Sequence, residues 1–191
     1  MFNEALLFLL DVLLQPFAAI LLLRFHLQWL RAPLRNPIGE FVMVLTDFVV
    51  LPARRFIPSA RGLDLATLFL ALLVEMLYLT GLWWALSTPT HGFLLPGLLF
   101  LAIVKLLKIS LYLLMAAVFA QAILSWVNPH TPAAPLLAAV TQRFLHPLRQ
   151  VVPMLGNVDL SSLLLLIICQ LVLIVPIGAL EQFALGLFNA R

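Results

Sequence analysis

Leu51-Pro52-Ala53-Arg54-Arg55-Phe56-Ile57-Pro58 stands between long apolar runs, with Thr46 before it and Asp64 after it. The segment returns as His146-Pro147-Leu148-Arg149-Gln150-Val151-Val152-Pro153, with Thr141 before it and Asp159 after it. Thr, Pro, Arg, Pro and Asp match at one offset of 95 residues (Pro52 to Pro147). Five polar or proline positions held in register signal an internal duplication.

The 191 residues around the two copies are 64% hydrophobic and 10% charged, with a mean hydropathy of +1.13. A soluble domain carries about 25% charged residues. So little polar surface cannot cover a globule in water, and the chain reads as an integral membrane protein. The net charge of +3 comes from few basic residues. In a membrane protein such an excess sets orientation. Nucleic-acid binding needs a clustered basic face with base-stacking groups, so nucleic acid is not expected as a partner. Cys169 stands alone in an apolar run and reads as a small buried hydrophobe. The N-terminus has no basic leader and carries Glu4 and Asp11, which marks a retained span, not a signal peptide.

Four stretches can cross a hydrocarbon core of about 30 Å, which takes about 20 helical residues. They run from Ala5 to Trp29, Leu65 to Leu86, within Phe93 to Trp126, and Leu160 to Leu180. In the third, Leu106 to Trp126 is the span, and Gly97 to Lys105 either extends it or lies along the interface. Backbone in lipid must satisfy its own hydrogen bonds, so the spans are helices. Unalternating apolar runs argue against a barrel. The first connection holds Arg31, Arg35, Arg54, Arg55 and Arg61, the second Arg143 and Arg149, and the Ser87–Gly92 link none. Both arginine-bearing connections are therefore expected on the cytoplasmic side, with both termini outside.

The fold expected is thus all-α and membrane-embedded: four transmembrane helices as two parallel tandem repeats, residues 1–91 and 92–191, related about the membrane normal. Each repeat has a cytoplasmic interfacial or re-entrant helix, residues 37–51 and 135–145, and a Pro/Arg-rich connection. Asn36, Glu40 and Asp47 recur on one face of the first, and Thr141, Gln142 and Arg143 are polar in the second. Pro52 and Pro58, like Pro147 and Pro153, are expected to break the helix into an extended path. Asp64 and Asp159 precede the next spans, where a carboxylate accepts from free backbone N–H groups.

Arg24-Phe25-His26-Leu27-Gln28-Trp29, Asn36-Pro37, Thr46, Pro52, Arg54-Arg55, Ile57-Pro58 and Gly62-Leu63-Asp64 together resemble a YggT (YlmG-type) repeat. So do Ser125-Trp126-Val127, Pro135, Thr141, Pro147, Arg149, Pro153 and Asp159-Leu160-Ser161. The resemblance covers nearly the whole chain, and two copies match the Gram-negative bacterial form. The second copy departs in having Gln150 where many repeats keep another arginine. The resemblance implies a small inner-membrane protein linked to osmotic or potassium stress, in some members to cell division. Plastid relatives are associated with cofactor assembly on cytochrome b6, with division, or with nucleoid distribution. It implies no enzymatic activity, and a shared theme of scaffolding or assembly.

Arg54, Arg55 and Arg149 are candidates for binding anionic lipid headgroups or a membrane-protein partner, since guanidinium takes phosphate bidentately. Topological anchoring is the plainer role. Trp29 and Trp126 read as interface anchors at the inner ends of the first and third spans, with Trp83 and Trp84 outside. Asp11 and Lys108 each precede the inner tryptophan of their span by 18 residues. Equal depth and opposite charge predict that they approach one another, with snorkelling as the alternative. Glu75 and Gln170 each follow the capping aspartate by 11 residues, roughly 16 Å into the membrane. Either they form a polar element on an ion or proton path, or Glu75 is hydrogen-bonded between helices. The four histidines are scattered, and no metal-ligand spacing, phosphate loop or catalytic pair appears, so no metal, cofactor or catalytic residue is assigned. The leading expectation is a non-enzymatic scaffold or assembly factor. The rival is an ion-conducting, osmotic-stress transport protein acting as a homo-oligomer.

Overall fold

The computed structural model describes residues 2–59, 62–86, 95–128, 131–151 and 159–188, apart from the side chains of Phe2, Trp126 and Phe188. Arg61, His91, His130, Pro153, the anchoring side chain of Trp126 and the expected boundary between residues 91 and 92 lie outside the described residues. The elements are α1 (Phe2–Trp29), α2 (Pro37–Ala53), α3 (Leu65–Leu86), α4 (Leu95–Val127), α5 (Ala134–Val151), α6 (Leu160–Val172), a π-helical turn (Leu173–Ile177) and α7 (Gly178–Phe188). Among the described residues, four helices are long and apolar enough to span a membrane: Asn3–Trp29, Leu65–Leu86, Leu95–Ser125 and Leu160–Leu187. Each half therefore repeats the order span, short helix, span.

The fourth span runs further than the sequence suggested, and the third takes the longer of its two expected courses. The third is one unbroken helix of 33 residues, about 50 Å long, so its outer part extends the span. The fourth continues past Leu180 to Phe188. Pro176 does not end it. Proline lacks an N–H and its ring crowds the carbonyl four residues back. The π turn gives it room, and the Gly178 N–H reaches the Leu173 carbonyl five residues back.

Pro52 and Pro147 do not force an extended path at once, as the sequence suggested. Pro52 sits in the last turn of α2, and α5 passes through Pro147 to Val151. The carbonyls four residues back, which each proline leaves without its N–H partner, belong to Phe48 and Arg143, both exposed residues. Pro58 does lie in non-helical chain.

The connection into α2 is tightly specified. Arg31 has φ 53°, with its N–H on the Gln28 carbonyl and the Ala32 N–H on Leu27. These bonds form a Schellman stop at a position that favours glycine, and Arg in that conformation costs about 1–2 kcal/mol. Asn36 then caps α2, accepting from Gly39 N–H at 2.9 Å, and Pro37 takes the first helical position. Gly39 is required because a Cβ there would clash with the Leu34 carbonyl.

α1 packs along α3, and α4 along α6 and α7; α4 also contacts α1 and α3 and so joins the halves. Gly81 lets α1 approach, since a Cβ would stand 2.8 Å from Leu10 Cδ1. Leu21, Leu22, Val50, Ala71 and Leu106 form one buried cluster. Leu136, Leu137 and Val140 of α5 pack on Leu27 and Ala32, tying the second short helix to the first half. The short helices differ in their outer faces. That of α2 is apolar, with Phe41, Val44, Phe48 and Leu51 exposed. That of α5 carries Gln142, Arg143, His146 and Gln150. An apolar outer face suits lipid and a polar one suits water.

Candidate functional site

The duplicated Pro/Arg segments each deliver an arginine to the aspartate ahead of the next span. Arg54 Nη2 lies 2.5 Å from Asp64 Oδ2 and donates to Gln28 Oε1 at 3.3 Å. Asp64 also accepts from the Thr67 hydroxyl and, at 3.4 Å, from the Thr67 N–H. Arg149 repeats the contact, with Nη2 and Nε at 2.7 and 3.0 Å from Asp159 Oδ2. Asp159 caps α6, accepting from Ser161 N–H at 3.0 Å. Burial raises the Asp64 carboxyl, but the Arg54 and Thr67 hydrogen bonds and the Arg54 charge outweigh it, and its pKa falls below the usual range. Asp159 behaves likewise, with Arg149 and Ser161 outweighing burial. Both aspartates accept from a backbone N–H in the first turn of the helix that follows. Arg54 and Arg149 are engaged inside the molecule, while Arg55 is exposed.

A second repeated contact joins each first span to its short helix. Arg24 is fully buried, and its Nη1 donates to Thr46 Oγ1 at 2.6 Å and Asp47 Oδ1 at 2.7 Å. In the other half Thr141 Oγ1 donates to Gln121 Oε1. Arg24 and Gln121 each stand five residues before Trp29 or Trp126, and Thr46 and Thr141 match between copies. That register was the available signal for this pair. Arg24 Nε and Nη2 have no partner.

Deeper in the membrane the equivalences fail. Asp11 and Lys108 do not pair, contrary to the sequence expectation. Asp11 accepts from Tyr78 Oη at 2.7 Å. Lys108 and Lys105 both bind Glu181, at 2.7 and 2.8 Å. Equal depth did not decide the pairing: Tyr78 on the neighbouring α3 and Glu181 on α7, beyond Pro176, take the two charges. Glu75 is fully buried and accepts from Gln15 Nε2 at 3.3 Å. Gln170 is exposed on the outer side of α6, so the two equivalents do not converge.

Trp29 is part-exposed at the end of α1, stacked on Phe25, with the Arg143 guanidinium 5.4 Å from its ring. His26 Nδ1 lies 2.6 Å from the Leu22 carbonyl. Cys169 is buried and unpaired. Among the described residues, no three His, Cys, Asp or Glu side chains come together as metal ligands.

The CCB3/YggT family profile matches residues 3–85 and 100–180, one segment in each half. An uncharacterized protein of Pseudomonas aeruginosa is 33% identical over 172 residues, covering 89% of this chain and 87% of its own. A Vibrio alginolyticus protein encoded in the proC 3′ region is 34% identical over 161 residues, covering 84% and 86%. The uncharacterized protein YggT of Escherichia coli K12 is 28% identical over 166 residues, covering 86% and 85%. No solved structure matches the chain.

Proposed function

The chain belongs to the CCB3/YggT family, and from that premise we propose that it is a non-catalytic scaffold or assembly factor of the bacterial inner membrane. Its arginine-bearing end faces the cytoplasm and its termini the periplasm, in keeping with the arginine count. The complexes it serves belong to envelope or osmotic stress, or to division.

One observation carries this reading over ion transport. Glu75, the carboxylate placed to line a path, is fully buried against Gln15, and its repeat equivalent Gln170 points outward. A conducting route needs such groups gathered around water. Ion pairs brace the connections at the arginine-bearing end, while Arg35 and Arg55 stay exposed there without a carboxylate partner among the described residues. Fixed elements presenting free guanidinium groups suit recognition of acidic protein surfaces.

The test is in-cell crosslinking and affinity capture of the full chain beside Arg35→Ala/Arg55→Ala. These positions leave the internal ties intact, which Arg54→Ala and Arg149→Ala would not. A discrete partner captured with the native chain and lost with the variant is expected. Self-crosslinks alone, equal in both, together with Glu75-dependent ion flux in liposomes, would overturn the scaffold reading.

A further inference from the structure

Two cavities meet at the arginine-bearing end, and Trp29 and Leu30 line both. The first, about 500 Å³, lies between the halves and runs from Trp29 past Leu114, Ala116 and Val140 to Val172 and Ile177 in the fourth span. Its walls are almost wholly apolar. His26, at the Trp29 end, and Ser110 are the exceptions; His26 Nδ1 lies against the Leu22 carbonyl and the Ser110 hydroxyl donates to the Leu106 carbonyl, so the deep end offers hydrocarbon and no free donor. The second, about 460 Å³, is bounded by Arg31, Gly62, Leu63, Ala139 and Arg143. Both sizes fall in the range of about 300–1,000 Å³ common to ligand sites.

The cationic cavity is held in place by the local backbone and by stacking. Arg31 occupies a left-handed position, φ 53°, that glycine would fill without strain, and so keeps a guanidinium at the cavity. Arg143 is held over the Trp29 ring. Neither arginine has a carboxylate partner among the described residues. An apolar cleft opening beside two unneutralised guanidinium groups, with a tryptophan at the junction, matches an amphiphile with an anionic head.

We propose that the cleft between the repeats holds one anionic phospholipid, its phosphate between Arg31 and Arg143 and an acyl chain along α4. Phosphate accepts in-plane N–H pairs from both guanidiniums, and the chain covers the apolar walls between α1, α4 and α5. The lipid joins the halves where protein contacts leave a gap. The site is separate from Arg35 and Arg55 and stands whether or not a protein partner binds them.

Native mass spectrometry of the delipidated full chain in detergent tests this, with phosphatidylglycerol and phosphatidylcholine as probes. One phosphatidylglycerol is expected to bind at least about tenfold more tightly than phosphatidylcholine. Arg31→Gly and Arg143→Gln together should abolish that preference. Arg31→Gly relieves backbone strain, so its effect cannot be ascribed to misfolding. Ala116→Phe, filling the cleft from an exposed position, should lower binding of both lipids with the charges intact. Equal binding of the two lipids, or an unchanged preference in the arginine variant, would overturn the proposal. So would displacement by millimolar inorganic phosphate with Ala116→Phe silent, which would mark a free-phosphate site.

Discussion

Removing Arg54 should cost more than removing its repeat equivalent, Arg149, although both make the same contact with the aspartate ten residues on. The side chain of Asp64 is 3% exposed and that of Arg54 35%; the corresponding values are 22% for Asp159 and 40% for Arg149. Arg54→Ala strands a buried carboxylate with only Thr67 as donor. Breaking a buried pair costs about 3–5 kcal/mol, and the part-exposed arginine moves the expected loss to about 2–3 kcal/mol. Arg149→Ala leaves a carboxylate that water reaches, at a cost of about 0.5–1 kcal/mol. Adding Asp64→Asn to Arg54→Ala removes the stranded charge and should return about 1 kcal/mol. Unfolding in mixed micelles titrated with dodecyl sulfate, followed by far-UV circular dichroism, reads all three variants against the native chain. Equal losses in the two halves, or no recovery in the double variant, would refute the burial argument.

Acid should loosen both ties. The folded pKa values of Asp64 and Asp159 lie below their usual 3.8, so their contribution is complete above that value and is lost as pH falls through the folded pKa. Stability should stay flat from pH 7 to about 5 and decline below about 4, less steeply in Asp64→Asn. Arg31→Gly should raise the unfolding free energy of delipidated protein by about 1 kcal/mol, measured in the same titration. Gly39→Ala should lower it by several kcal/mol, roughly 2–4, because the added Cβ meets backbone. Arg24→Gln, which copies the Gln121–Thr141 contact, should stay within about 1 kcal/mol of the native chain, whereas Arg24→Ala should lose about 2 kcal/mol by leaving Asp47 without its guanidinium, Thr46 keeping its bond to the Val42 carbonyl.

What repeats in the sequence was legible, and what depends on helix rotation was not. Apolar run length gave the four spans, and the matched Pro, Arg and Asp positions gave the two connections and their caps. Asp11 and Lys108 share a depth, yet depth leaves the facing direction open: Asp11 meets Tyr78 on α3, and Lys108 meets Glu181. Glu181 was out of view because Leu180 seemed to close the fourth span, and only the π turn carries the helix past Pro176 to it. Glu75 and Gln170 hold equal register but α3 and α6 present them oppositely, one buried and one exposed. Arg24 lay within the recognised motif, but its burial against Thr46 needed α2 folded back on α1.

The central claim is that the duplication is parallel, setting both arginine-bearing connections on one side of the membrane. Cysteines at Phe56 and Gln150, both exposed, in a Cys169→Ser background, test it with an impermeant thiol reagent on intact cells and on inverted vesicles. Labelling of both positions in inverted vesicles only is the expected result. Labelling of one from each side would contradict the parallel arrangement.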